Sequence, residues 1–237
     1  MSEDNYISRK QQLLKDFDKS IARIKSVLTS RYGNEQANSL ISESRFEYET
    51  IIPQIPFIGH RSHFLAFLIP QTRALAIYKV LRRKGLTFEE AGHISFQMCK
   101  AQMESRPPFL RHIIGYLWFS PLFKWQSRKL AKESQKRKYP GSYVFDFIEG
   151  DNQTFDYGFD YLECGACKFL NQQGAPELAP LLCAVDIVGS EIYGWGLTRT
   201  MTIADGHIKC DFRYKKGGKT NITISPSVKD ACNINEG

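Results

Sequence analysis

Between Phe155 and Tyr214 the chain concentrates four of its six cysteines, Cys164, Cys167, Cys183 and Cys210, among Asp186, Arg199, Asp211, Arg213 and the run Thr198, Thr200, Thr202. A thiolate is both a nucleophile and a soft metal ligand. A carboxylate close to a cysteine can take its proton, and an arginine fork gives a small carboxylate two parallel hydrogen bonds. Cys183 with Asp186 one helical turn on, and Arg199 reaching across from a hairpin, is the first such set. Cys210 beside Asp211 is the second, although neighbours on a strand point to opposite faces. No histidine stands near Cys183, and His207 sits in the hairpin turn. Cys164-Gly165-Ala166-Cys167 has the two-residue gap of a metal knuckle or a redox pair. Cys183 and Cys210 would complete a four-thiolate site for zinc or an iron-sulfur cluster, which would be closed and structural. Cysteines are also readily buried for packing alone. His60 and His63 could share a helical face, but no acidic or cysteine partner is local, and they read as a loop pair.

The elements that must position these groups divide at Gly141. Before it the period is helical. Residues 8–30 carry Leu14, Phe17, Ile21, Ile24 and Leu28 on one face of a single long helix. Residues 43–56, broken by two Ile-Pro pairs, predict a short helix running into a loop. A helix over 72–84 stops at Gly85, and another opens at Thr87 with Glu90 completing a capping box and ends before Pro107. After Gly141 the period is two. Tyr143, Phe145 and Phe147 share one strand face, and Phe155, Tyr157, Phe159 and Tyr161 share the next. A helix over 166–172 ends at Gly174, and another opens at Pro176 and runs towards Cys183. The 194–214 hairpin turns at Ala204-Asp205-Gly206, and 221–224 adds a short strand. The expected fold is α+β, with N-terminal helices packed on a small C-terminal antiparallel sheet. It forms a single domain over 1–237, in which residues 1–140 are helical, residues 141–225 contain the sheet and residues 226–237 are a loose tail.

The chain has 237 residues, 42% hydrophobic and 24% charged, with a formal charge of +7. That is a globular composition able to bury a core, and its charge favours an acidic ligand or surface where the basic groups cluster. They cluster in 107–138. Its first half holds Phe109, Tyr116, Trp118, Phe119, Phe123 and Trp125, and its second Lys124, Arg128, Lys129, Lys132, Lys136, Arg137 and Lys138. An aromatic helix followed by a basic one suits an anionic membrane surface, or else core aromatics before a solvated helix. Nucleic acid is disfavoured because no recognised binding module accompanies the charge. No apolar run is long enough to span a bilayer, and the first residues lack a basic region followed by an apolar one. The expected location is a reducing cytoplasm, where the cysteines are thiols or ligands. The sequence assigns no oligomeric state.

Three blocks carry a resemblance: Gly174-Ala-Pro-Glu-Leu-Ala-Pro-Leu-Leu-Cys183-Ala-Val-Asp186, then Gly196-Leu-Thr-Arg199-Thr200-Met-Thr202-Ile-Ala-Asp-Gly206, then Cys210-Asp211-Phe-Arg213. Together they resemble the L-2-amino-thiazoline-4-carboxylic acid hydrolase family, and residues 70–91 agree more loosely. The resemblance implies hydrolytic opening of a small cyclic thiazoline or related acid to an N-carbamoyl-cysteine product. On it, Cys183 and Asp186 are the candidate catalytic pair, and Arg199, Thr200, Thr202, Cys210, Asp211 and Arg213 the candidate substrate-binding set. The partner is a small carboxylate-containing molecule. The thiolate route needs no cofactor. The alternative is a non-catalytic module with a zinc or iron-sulfur cluster at Cys164, Cys167, Cys183 and Cys210, or zinc-activated water at a site with one ligand fewer.

Overall fold

The structure is a computed structural model, and it describes residues 4–59, 62–151 and 153–233. His60 of the histidine pair lies outside them. The chain begins with α1 (Asp4–Ile7), α2 (Lys10–Ala22), α3 (Lys25–Tyr32) and α4 (Asn34–Ile51), followed by a 3-10 turn at Ile52–Gln54. The single helix expected over 8–30 is therefore two. No Gly or Pro marks the break; the bend at Ile24 keeps both Ile24 and Leu28 on the buried side. The second helix is longer than 43–56 suggested, because Ala37, Leu40 and Ser44 already face the core.

Next come α5 (Leu65–Arg83) and α6 (Phe88–Glu104). α5 starts well before residue 72 and carries Pro70 inside it. α6 opens on the expected capping box: Glu90 N-H donates to Thr87 Oγ1 at 3.2 Å, and Thr87 N-H to Glu90 Oε2 at 3.1 Å. α7 (Pro108–Trp118) is followed directly by α8 (Pro121–Ser134). α7 approaches α11 (Val185–Tyr193) at Gly115, where a Cβ would stand 2.1 Å from the Tyr193 carbonyl oxygen. Glycine is required there by space alone.

The sheet follows, with β1 (Val144–Glu149), β2 (Tyr157–Glu163), β3 (Leu197–Arg199), β4 (Cys210–Tyr214) and β5 (Asn221–Ile222) in the order β1-β2-β4-β3-β5. Its pairs are antiparallel except β3 with β5, which is parallel. The sheet is thus mixed and mostly antiparallel, with helices on one face, and the α+β expectation holds. Between the strands lie α9 (Gly165–Gln172), α10 (Leu178–Cys183) and α11. The expected loose tail instead holds α12 (Pro226–Cys232), whose Val228, Ala231 and Cys232 are buried. His93 Nδ1 donates to the Ala231 carbonyl at 2.9 Å. Residues 234–237 of that stretch lie outside the described residues.

Register decides which side chains meet. Phe147 opposes Phe159, Phe145 opposes Tyr161, Tyr161 opposes Cys210, and Leu197 opposes Tyr214. With a period of two, this puts the aromatics, Cys210 and Arg199 on the helix-facing side, and Asp160, Asp211, Arg213 and Thr198 on the other. Tyr157 and Phe159 are buried, as their alternation predicts.

Candidate active site

Arg199 ends β3 on the helix-facing side and is 1% exposed. Its Nη1 alone is engaged, pairing with Asp186 Oδ2 and donating to the Cys183 carbonyl at 3.2 Å. Nε and Nη2 have no partner among the described residues. The guanidinium plane is carried over the Phe212 ring, 5.4 Å from its centroid. A buried fork edge without acceptors is costly unless a ligand supplies them.

Asp186 comes from the first turn of α11, just after α10 ends at Cys183. Its side chain keeps 33% of its surface, opening onto two adjoining cavities. The inner one, about 110 Å³, is lined by Cys183, Arg199, Cys210, Cys164, Tyr143 and Tyr161 among others. The outer one, about 240 Å³, runs between α5, α6, α7 and α11. Phe67, Gln71, Trp118, Leu182, Asp186 and Trp195 line both.

Burial raises the Asp186 carboxyl above the ordinary aspartate value, with the Arg199 charge pulling the other way. Burial also pushes the Cys183 thiol well up, again opposed by Arg199. The Cys210 thiol is pushed up to about 12 by burial, and its sulfur accepts the Ile203 N-H at 3.2 Å. Cys164 differs. It caps the N-terminus of α9, its sulfur accepting the Cys167 N-H at 3.5 Å. A hydrogen bond from the Cys167 thiol, joined by backbone N-H groups and opposed by burial, holds it below the ordinary thiol range. Cys167, as the donor, is raised.

The sequence-named residues therefore divide. Cys183, Asp186, Arg199 and Cys210 come together at the inner cavity. Thr200, Asp211 and Arg213 do not. Asp211 accepts the N-H groups of Thr200 (2.9 Å) and Met201 (2.6 Å) and the Thr200 hydroxyl (2.6 Å), which clamps the chain leaving β3. Arg213 pairs with Asp160 at 2.8 Å, and Lys209 with the same carboxylate at 2.6 Å, on the outer face. Thr202 is buried and caps the 3-10 turn Ile203–Asp205 through the Asp205 N-H at 3.0 Å. The four cysteines make no metal cage: among the described residues no group of three or more His, Cys, Asp or Glu is placed to hold an ion. The Cys164-Cys167 pair is hydrogen-bonded to itself, and Cys210 sulfur is taken by backbone. Phe64, Phe67, Gln71, Trp118 and Trp195 also wall the inner cavity. Nothing local in the sequence marks them, but Tyr161 and Phe212 could have been found from the strand period they share with Cys210.

Arg199, a carboxyl group of raised pKa and three thiols thus line one cavity. The model of the L-2-amino-thiazoline-4-carboxylic acid hydrolase family matches residues 75–214. That is more than half of the chain, and the chain belongs to this family. It is a hydrolase of a non-peptide bond in a small cyclic acid. Searches of curated proteins and of solved structures find no match. The match begins inside α5, so Phe64, Phe67 and Gln71 of the cavity wall precede it.

Proposed function

We propose that this hydrolase opens the ring of a thiazoline-4-carboxylate, with Arg199 anchoring the carboxylate and Asp186 moving the proton. The observation that carries this reading is that Arg199 lines the inner cavity while two of its buried donors, Nε and Nη2, have no partner among the described residues. They form one planar edge, which a carboxylate can accept with two parallel hydrogen bonds. In the reaction an oxygen from water ends on the ring carbon between nitrogen and sulfur. The carbon-sulfur bond breaks, and one proton finishes on sulfur and one on the ring nitrogen. Asp186, its carboxyl raised by burial above the ordinary aspartate value, is the group placed to take and return a proton.

Cys183, flanked by Asp186 and Arg199, attacks as a thiol whose proton passes to Asp186. A second nucleophile is favoured by a specific observation: Cys164 lines the same cavity and is the thiol whose surroundings stabilise its thiolate. Thiazoline carboxylate turnover in folded Cys183→Ala and Cys164→Ala, followed by product mass, tests the assignment. Loss in the first with retention in the second supports Cys183; the reverse moves the attack to Cys164. Turnover retained in both leaves water activated by Asp186.

The partner surface is formed by α7 and α8, which dock on an anionic lipid surface. Phe109, Leu110, Ile113, Tyr116, Leu117, Leu122 and Trp125 are all exposed there. Cations stand among the rings: Lys216 is 5.4 Å from the Tyr116 centroid and Lys129 5.9 Å from that of Trp125. Exposed apolar rings with interleaved lysines match an interface of acyl chains below anionic headgroups. Three of the basic residues of the stretch are engaged with acids: Arg128 with Glu149, Lys136 with Glu133 and Arg137 with Glu163. No helix among the described residues is long and apolar enough to cross a membrane.

A further inference from the structure

The inner cavity, about 110 Å³, adjoins a second and larger chamber of about 240 Å³. A ligand held by Arg199 at the inner end meets that chamber at Asp186. The chamber wall is mostly apolar: Phe67, Met103, Ile114, Trp118 and Leu182 contribute carbon or sulfur surface. Trp195, stacked on Trp118 with ring centroids 4.5 Å apart, lines both spaces. The indole N-H groups of Trp118 and Trp195 are buried and have no partner among the described residues. A ring amino acid with nothing beyond its head group would leave this chamber to water against apolar walls.

We infer that the substrate is amphiphilic: a thiazoline-4-carboxylate bearing an apolar alkyl or aryl group on the carbon between nitrogen and sulfur, its tail lying between α5, α6 and α7. The inference rests on the Arg199 anchor proposed above. Hydrolysis of such a ring adds the water oxygen to the substituted carbon and breaks its bond to sulfur. One proton goes to sulfur and one to nitrogen, and the product is an N-acyl-cysteine. The tail excludes water from the outer chamber, and the gain follows the apolar surface removed from water.

The test is calorimetric titration and turnover of a series, 2-amino, 2-methyl, 2-propyl and 2-pentyl thiazoline-4-carboxylate, with the N-acyl-cysteine identified by mass. Affinity should rise by about threefold to fourfold per added methylene until the chamber is filled. In Met103→Trp, checked for folding by its thermal transition, the dependence on tail length should collapse. Parent ring bound through Arg199 but no gain along the series overturns the amphiphilic substrate and leaves the anchor standing. Failure of every member to bind, or binding unaffected by Arg199→Ala, removes the anchor reading and this inference with it.

Discussion

Arg199 holds Asp186 with one nitrogen and keeps the other two free. A guanidinium placed only to neutralise a buried acid would be expected to turn its fork onto it; here only Nη1 meets Asp186, and Nε and Nη2 have no protein acceptor among the described residues. The same residue is thus half of an internal ion pair and, in the function proposed above, the anchor of the substrate carboxylate. Two consequences can be measured separately.

Arg199→Ala should abolish carboxylate binding and also lower stability, by about 2 to 4 kcal/mol, because it strands Asp186. The accessible third of Asp186 keeps the loss at the lower end of what a fully buried pair shows. Arg199→Lys, which can restore the charge but not the fork, should recover part of the stability and little of the affinity. Chemical denaturation with parallel calorimetry separates the two; recovered affinity in the lysine variant would show that charge alone binds.

Asp186 gives stability an unusual pH slope. Its folded value is raised, so the folded state holds the proton more tightly than the unfolded chain. This contribution is fully present below the ordinary aspartate value and is lost as pH rises through the raised one. Asp160 and Glu163, lowered by their cationic partners, slope the other way. Subtracting the unfolding curve of Asp186→Asn from that of the wild type at each pH should isolate the falling component. A flat difference would mean the carboxyl is not perturbed.

The thiols should separate by reactivity. At mildly alkaline pH, iodoacetamide should alkylate Cys164 ahead of Cys183 and Cys210, as peptide mass mapping reports. Cys167→Ala removes the donor to Cys164 and should slow that alkylation. Equal labelling of all three would show that the helix cap and the Cys167 thiol do not set reactivity.

Asp211 is expected to matter for stability and little for binding, although its block of sequence carries the family resemblance. Asp211→Ala frees three donors around Thr200 and should cost about 1 to 3 kcal/mol. Ligand affinity corrected for the folded fraction should change less than twofold, the span of ordinary measurement scatter at about 0.4 kcal/mol. A larger loss would place this outer-face carboxylate in the binding event.

Flotation with vesicles containing anionic lipid should carry the protein upward at low salt and less at high salt, with neutral vesicles retaining little. Phe109→Ser combined with Trp125→Ser should weaken flotation even at low salt. Indifference to both lipid charge and these residues would leave the exposed rings without a lipid role.

The sequence by itself determined the local choices. The period change at Gly141 marked helices before and strands after, the Thr87 and Glu90 spacing fixed the start of α6, and the alternation from Tyr157 to Tyr161 chose the buried strand face. Cys183, Asp186 and Arg199 were legible as a group because two of them lie one turn apart and the third lies in a hairpin block that follows. Only the tertiary structure decided which of the remaining named residues belong to the cavity. Strand register sends Cys210 inward and Asp211, Arg213 and Thr200 outward, and register is a property of paired strands, not of one segment. It also set a hydrogen-bonded pair and two separate thiols where a four-thiolate cluster was the alternative, with Cys164 capping α9. Phe67, Gln71 and Trp195 were not singled out beforehand, and Trp118 was read only within the aromatic stretch. They reach the same space from α5, from α7 and from the turn after α11, far apart along the chain, and only packing of α7 through Gly115 onto Tyr193 brings them together.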